Sequence, residues 1–196
     1  MAESYNEVQL HNLPSKACTF IAEADGNFPE YNYPADFKLT LKRGAQVMFI
    51  RNDNNGRYYN GRIGHVTHID NEKILVLCPG DDKEIEVQQE TWENTKYSLN
   101  EKTKQIEAEV QGTFKQYPLR LAWAITIHKS QGLTFEHAII DAQSSFAAGQ
   151  VYVALSRCKT LEGLILASPI SSSAIINDNQ VMNYISHQTE EAEKSI

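Results

Sequence analysis

The segment that most constrains the fold of this chain is an apolar run that follows Pro118 and breaks into polar residues. Residues 119–127 are almost continuously apolar, with one early charge at Arg120, which is typical of a strand buried on both faces. The run passes directly into the polar stretch Thr126–Gly132. Because α/β sheets build their sites at the carboxyl ends of strands, we predict a buried strand with a functional site at its end.

The rest of the C-terminal part alternates between strand and helix patterns. Residues 138–140 and 164–167 are short apolar runs of strand type, and residues 147–157 have helical periodicity. Asp178 is placed to cap a last amphipathic helix with the apolar residues Val181, Met182, Tyr184 and Ile185. This order predicts an α/β fold with a mostly parallel sheet covered by helices.

The part before Pro118 has a different pattern, made of short strands separated by turn residues. A helix is predicted over residues 4–13, where Pro14 ends it, and a strand over residues 17–22. Four further predicted strands cover residues 46–50, 64–69, 74–78 and 84–88. Strands punctuated this regularly predict a small antiparallel β-barrel.

Composition narrows the class of protein. The chain has 196 residues, of which 41% are hydrophobic, so a packed core is expected over most of its length. A net charge of −7 argues against a nucleic-acid binder. The argument is weak, because a local basic groove can lie on an acidic body. Three dispersed cysteines without a C-x-x-C motif predict neither a zinc site nor a disulfide framework, and they fit a reducing cytoplasm. Neither a signal peptide nor a membrane span is predicted.

Two groups of residues are candidates for phosphate chemistry. Thr126 and Ser130 offer hydroxyls, and His128 and Lys129 offer an imidazole and a charge, although the same residues suit an ordinary turn with a buried histidine. Arg157 lies at the end of the predicted helix, and its planar guanidinium matches phosphate oxygens. A cation that interacts with the helix C-terminal dipole is the competing interpretation.

Aromatic residues are interpreted mainly as packing groups. We predict that Trp123 and Tyr152 pack in the interior. Four aromatics in and beside the loop at residues 25–36 either stack on bases or anchor that loop to the domain, and we favour the second interpretation. They are Phe28, Tyr31, Tyr33 and Phe37.

Taken in order, several segments resemble superfamily-one DNA helicases of the RecD and Pif type. Leu119–Phe135 closely resembles their motif V, and Gly149–Arg157 resembles their motif VI. Leu41–Asn52, followed by Tyr59–Gly64, is similar to the segment that leads into their inserted small barrel. Tyr5–Leu10 looks like the helix after motif IV. The resemblance covers nearly the whole chain.

The resemblance implies a fold and a division into domains. Residues 1–43 and 116–196 would form the second RecA-like domain of a helicase. Residues 44–115 would form an inserted barrel of the Src-homology-three kind.

The resemblance also implies roles for individual residues. Thr126, His128 and Lys129 would contact the backbone of single-stranded DNA. Gln131 and Gly132 would contact the phosphates of ATP. Arg157 would be the catalytic arginine finger on the γ-phosphate. No metal ligand is implied within this chain.

The sequence departs from the family pattern in ways that limit what the chain does alone. It contains no G-x-x-x-x-G-K-[ST] loop and no acidic pair after an apolar strand. ATP and Mg²⁺ are therefore expected in the intact enzyme, with the Mg²⁺ ligands outside this chain and an N-terminal RecA-like domain as its partner. Thr134 stands where related UvrD-type helicases have a glutamate that helps to hold the ribose.

The chain is thus predicted to be a helicase C-terminal fragment that is inactive by itself. The alternative is a stand-alone, non-catalytic module that binds nucleic acid or protein through a barrel and a degenerate RecA-like domain. The oligomeric state and the polarity of translocation stay open.

Overall fold

The computed structural model describes residues 2–99, 104–142, 149–176 and 178–184. The chain divides into two compact units, Met1–Ile125 and Thr126–Ile196. No helix in the described ranges is both long and apolar enough to cross a membrane. The two units are described separately.

The described residues of the first unit form one α-helix, one turn of 3₁₀ helix at Glu30–Asn32 and ten strands. The helix α1 spans Ala2–Asn12, close to the predicted range. The strands in chain order are β1 (Ala17–Ile21), β2 (Glu23–Gly26), β3 (Lys38–Lys42), β4 (Gln46–Phe49), β5 (Ile63–Ile69), β6 (Ile74–Leu77), β7 (Ile85–Val87), β8 (Glu90–Leu99), β9 (Ile106–Gln116) and β10 (Leu119–Leu121).

The strands predicted between residues 46 and 88 are confirmed as β4 to β7. They form an antiparallel sheet in the order β10-β4-β5-β6-β7. The turn between β5 and β6 is fixed by Asp70, whose Oδ1 accepts hydrogen bonds from the backbone N–H groups of Glu72 and Lys73 at 2.8 Å. β10 and β7 lie at the two edges of the sheet. Among the described residues this sheet therefore does not close into the barrel that the sequence predicts.

The predicted strand over residues 119–127 is wrong beyond Leu121. β10 pairs antiparallel with β4, and the chain then leaves the sheet. Side-chain amides take over the backbone hydrogen bonds of this segment. Gln46 Nε2 donates to the Ala122 carbonyl at 2.8 Å, while Asn6 accepts from the Ala124 N–H and donates to the Ala124 carbonyl, both at 2.8 Å. The Ala122 N–H still donates to the Gln46 carbonyl of β4 at 3.0 Å, whereas the backbone of Ala124 is satisfied without strand pairing.

The longest strands form a hairpin that the sequence indicates only weakly. β8 and β9 pair from Glu90↔Gln116 to Leu99↔Ile106, and β2 lies on the other side of β9. Towards the tip, Tyr97 is 70% and Ile106 is 74% exposed. Side chains near the base pack instead, and Phe114 is completely buried.

The prediction that aromatic residues anchor the loop is confirmed for two of them. Phe28 and Tyr33 contact Phe114, with ring centroids 5.8 and 4.5 Å away. Tyr31 is 87% exposed and does not anchor anything. Trp123 packs against the main core of this unit, as predicted.

The second unit contains the strand–helix–strand order that the sequence predicts. β11 (Ala138–Ile140) and β12 (Leu164–Leu166) pair in parallel, and the helix α2 (Gln150–Leu155) lies between them in sequence. Its core includes Ile140, Val151 and Ala154.

The expectation of a mostly parallel sheet is met by the described strand contacts of the second unit, β11–β12 and Phe135–Cys158, but not by β10, which pairs antiparallel with β4. β11 and β12 are the one pair of named strands there that runs parallel. The final helix is confirmed over residues 179–184, where Asp178 Oδ1 accepts from the Gln180 N–H at 2.8 Å. Ile185, which the sequence also assigns to that helix, lies outside the described residues.

Candidate functional site

The stretch Thr126–Gly132 is a tight loop built around one turn of 3₁₀ helix at His128–Ser130. Ser130 closes the turn, because its N–H donates to the Thr126 carbonyl at 3.0 Å and its hydroxyl donates to the Ile127 carbonyl at 2.7 Å. The Lys129 N–H also donates to the Thr126 hydroxyl oxygen at 3.3 Å. Since Ser130 is only 5% exposed, its hydroxyl shapes the loop and does not face solvent.

The other predicted site residues of this loop are exposed. Thr126, His128, Lys129 and Gln131 all present their side chains to solvent. The interpretation of His128 as a buried histidine is therefore wrong. Gly132 has a φ of 76°, a conformation that a side chain disfavours, although a Cβ there would meet no atom within 4 Å. The glycine turns the chain so that Leu133 enters the interior.

Arg157 lies two residues after the end of α2, and all three of its nitrogens donate hydrogen bonds. Nε donates to the Val153 carbonyl at 3.0 Å, Nη1 to the Leu133 carbonyl at 3.2 Å and Nη2 to the Ser156 hydroxyl at 2.9 Å. The contact with Val153 is what the helix-end interpretation predicts. The contact with Leu133 goes beyond it and ties the guanidinium to the residue that follows Gly132.

Arg157 has no carboxylate partner among the described residues, because each of its acceptors is a neutral oxygen. Its positive charge is thus hydrogen-bonded but not neutralised. A phosphate oxygen would be a stronger acceptor than a carbonyl or a hydroxyl, because it is negatively charged and phosphate can accept two parallel bonds from one guanidinium.

The backbone also holds the two motif segments side by side. Phe135 and Cys158 form a parallel bridge, in which the Phe135 N–H donates to the Arg157 carbonyl at 2.8 Å and the Lys159 N–H donates to the Phe135 carbonyl at 2.9 Å. The structure therefore brings Arg157 and the end of the Thr126–Gly132 loop together.

Sequence reasoning missed the Ser156 hydroxyl and the Leu133 carbonyl, two of the three groups that accept hydrogen bonds from Arg157. Ser156 adjoins it in sequence, which is a weak signal, but the Leu133 contact uses a backbone carbonyl that no residue type reveals. The prediction that Tyr152 is packed is wrong, because its side chain is 74% exposed. No group of three potential metal ligands occurs in the described parts of the chain.

Comparisons with known proteins point to one family. The profile of the UvrD-like helicase C-terminal domain matches residues 121–165. The ATP-dependent DNA helicase Pif1 of Psychrobacter sp. (strain PRwf-1) is 33% identical over 207 residues, which cover 82% of this chain and 31% of that protein. The human ATP-dependent DNA helicase PIF1 is 36% identical over 171 residues, with coverages of 81% and 24%.

Solved structures give the same result. Bacteroides sp. Pif1 in complex with ADP-AlF4 has a TM-score of 0.85 and 39% identity, and the match covers 96% of this chain and 43% of that one. Bacteroides Pif1 bound to ssDNA has a TM-score of 0.72 and 38% identity, with coverages of 97% and 43%. The chain spans less than half the length of these relatives. It belongs to the Pif1-type helicases, shares their RecA-like fold and corresponds to a C-terminal portion of such a protein.

Proposed function

We propose that this chain supplies one side of an ATP site and part of a single-stranded DNA track in an ATP-dependent DNA helicase, and that it is inactive alone. The observation that carries this proposal is the hydrogen bond from Arg157 to the Leu133 carbonyl, directly after the Thr126–Gly132 loop. It links a cation suited to phosphate with a loop whose polar side chains face solvent.

Arg157 acts as the arginine finger in this proposal. Its guanidinium has no acidic partner in the described residues, so its charge is available to a γ-phosphate. Gln131 and Gly132 contact the ATP phosphates, which their exposure allows. Bacteroides sp. Pif1 was crystallised in complex with ADP-AlF4, which supports nucleotide binding by the intact protein.

Thr126, His128 and Lys129 contact the backbone of single-stranded DNA. All three are exposed, and a hydroxyl, an imidazole and an ammonium are ordinary partners for phosphate oxygens. A relative was crystallised with ssDNA bound.

The same contacts suggest how ATP and DNA are coupled. Three of the five N–H groups of the Arg157 guanidinium are used, so it can reach a phosphate with the remaining two or by releasing the Leu133 carbonyl or the Ser156 hydroxyl. If Nη1 leaves, the carbonyl loses its donor, and the end of the DNA-binding loop is free to move. Loss of the γ-phosphate after hydrolysis restores the original bond.

The rest of the ATP site is proposed to lie in an N-terminal RecA-like domain. That domain would supply the phosphate-binding lysine and the Mg²⁺ ligands, since the sequence of this chain contains no G-x-x-x-x-G-K-[ST] loop and no acidic pair after an apolar strand. A cytoplasmic location is part of the same proposal.

The domain division is also kept as a proposal, with an insertion at residues 44–115 between residues 1–43 and 116–196. One contact complicates it. β10, from the second part of the proposed RecA-like domain, pairs with β4 of the proposed insertion.

An ATPase assay on the chain alone and on a chimera tests the proposal. In the chimera, the N-terminal part of Bacteroides Pif1 is joined to this chain. The chain alone is expected to hydrolyse no ATP, with or without DNA. The chimera is expected to show DNA-stimulated turnover, and Arg157→Ala is expected to lower its kcat by about 10³- to 10⁵-fold while sparing DNA affinity.

Lys159→Ala is the matched control, because Lys159 is an exposed cation two residues away whose Glu136 partner lies at 3.9 Å. Turnover by the chain alone, or normal turnover of the Arg157→Ala chimera, would contradict the proposal. DNA binding by the chain with an inactive wild-type chimera would select the stand-alone module instead.

A further inference from the structure

We propose that a cleft in the first unit, formed around Arg43 and His65, binds a phosphate group of a nucleic-acid backbone. This site is separate in sequence from the Thr126–Gly132 loop, and it extends the proposed function by a second phosphate contact.

Arg43 differs from the other arginines of this chain. Its side chain has no acceptor in the described part of the chain, and it is exposed. The other five arginines each donate to a carboxylate, a carbonyl or a hydroxyl. They are Arg51, Arg57, Arg62, Arg120 and Arg157.

The backbone that carries Arg43 is nonetheless firmly held. Arg43 lies in the turn between β3 and β4, where its carbonyl accepts from the Ser15 hydroxyl at 2.8 Å. The next residue, Gly44, donates its N–H to the Val66 carbonyl at 2.7 Å, and the Ala45 N–H donates to the Lys42 carbonyl at 3.0 Å. The fixed backbone of this turn lowers the entropy that is lost when a ligand binds, because only the side chain has to become ordered.

The neighbouring cation is already used. Lys42 Nζ donates to the carbonyls of His11 and Leu13 at 3.1 and 2.8 Å, and so it holds the end of α1. Of the two neighbouring cations, Arg43 is therefore the one whose side chain is available to bind a ligand.

The cleft has a volume of about 610 Å³, and none of the described residues that line it is acidic. His65 lines it and is exposed, without a side-chain partner in the described residues. Ser15 and Thr67 also line it, but their hydroxyls already donate to the carbonyls of Arg43 and Leu75. The donors left for a ligand are the Arg43 guanidinium and the His65 ring.

These donors define the class of ligand. A planar guanidinium and an imidazole that line the same cleft select an anion with the geometry of a phosphate. The described lining contains no Phe, Tyr or Trp on which a base could stack. A backbone phosphate therefore fits the cleft better than a free nucleotide does.

The test measures the binding of fluorescein-labelled oligothymidylate to the 196-residue chain by fluorescence anisotropy across a series of KCl concentrations. Arg43→Ala is expected to weaken binding and to make the slope of log Kobs against log salt shallower by about 0.7, the value for one phosphate contact on a single strand. Arg43→Lys is expected to retain the slope but to bind more weakly than wild type. Lys83→Ala is the control, because it removes one exposed cation from the same unit outside the cleft.

Equal effects of Arg43→Ala and Lys83→Ala would overturn the proposal, as would an unchanged slope in Arg43→Ala. A second arm measures the thermal shift produced by inorganic phosphate at constant ionic strength. If Arg43→Ala loses that shift but binds oligothymidylate like wild type, the ligand is free phosphate, and the nucleic-acid assignment is overturned.

Lys129→Ala, measured in parallel, separates this proposal from the proposed function. Loss of affinity in Lys129→Ala alone supports the loop and rejects the cleft, whereas loss in Arg43→Ala alone does the reverse. Circular dichroism melting checks that each variant is folded.

Discussion

Arg157 shows which parts of a site can be predicted from residue types alone and which cannot. An arginine after an apolar helix and a polar loop after an apolar run were both visible in the sequence, and the structure brings them together. The group that joins them is the Leu133 carbonyl, which every residue possesses, so no sequence pattern could have predicted it. Tyr152 shows the reverse error, since an aromatic in a short helix was expected inside and is exposed.

A residue-scale prediction concerns Asp53, whose side chain is only 3% exposed. Its carboxylate accepts hydrogen bonds from the Arg57 side chain and from the N–H groups of Asn55 and Arg57. The hydrogen bond from the Arg57 side chain is the largest cause that lowers the pKa of Asp53 from 3.8 to about 2. Because the folded-state value is the lower one, the stabilisation is present above about pH 4 and is lost as the pH falls towards 2.

Urea denaturation of wild type and Asp53→Asn between about pH 5 and pH 2 measures this effect. The variant is expected to be less stable at pH 5 and to lose less stability on acidification. Parallel pH profiles for the two proteins would contradict the role of Asp53.

At the scale of elements, the sequence predicted strands well where turn chemistry separates them, as in β4 to β7. It failed where a continuous apolar run indicated burial without indicating a partner strand. Ala122 is still bonded to Gln46 of β4, but the run beyond it is held at Ala124 by the amide of Asn6 and not by a neighbouring strand. The helix α1 was predicted from its Pro14 stop, yet Val8 is 56% exposed and the buried residue is Asn6.

An element-scale prediction concerns Gly64 in β5, where that strand lies against β6. A Cβ at this position would lie 2.5 Å from Val76 Cγ1 and 3.1 Å from Cys78 Sγ. Gly64→Ala is therefore expected to lower the free energy of unfolding by about 1–3 kcal/mol through overpacking. The measurement is chemical denaturation of Gly64→Ala, Val76→Ala and the double variant. Because shrinking Val76 removes the closest contact, the double variant should lose less than the sum of the two.

At the scale of the whole molecule, the order of strands in the sheets could not be predicted from local patterns. β10 pairs with β4 across about 70 residues of sequence, and this pairing gives no local signal. The α/β character of the C-terminal part was predicted from its strand and helix order, and it is confined to the second unit. The resemblance to helicases rests on the order of motifs along the chain. Unlike the order of strands in a sheet, that order can be recognised in a single sequence.

A prediction for the whole chain concerns its three free thiols. Cys78 is 2% exposed, and burial raises the pKa of its thiol, whereas Cys18 and Cys158 are half-buried. In the native protein at neutral pH, a thiol reagent is expected to modify Cys18 and Cys158 before Cys78, because the reactive form is the thiolate. Mass spectrometry of labelled peptides checks this order. In denaturant all three should react alike, and equal native rates would refute the prediction.

The contact between Asn6 and Ala124 also governs how long a segment keeps its conformation. The backbone N–H and carbonyl of Ala124 are both hydrogen-bonded to the Asn6 side chain, which comes 118 residues earlier. Amide hydrogens exchange with solvent only when such bonds open, so the Ala124 proton is protected for as long as α1 stays docked. The persistence of this coil, two residues before Thr126, is therefore set by the undocking of an N-terminal helix and not by strand separation.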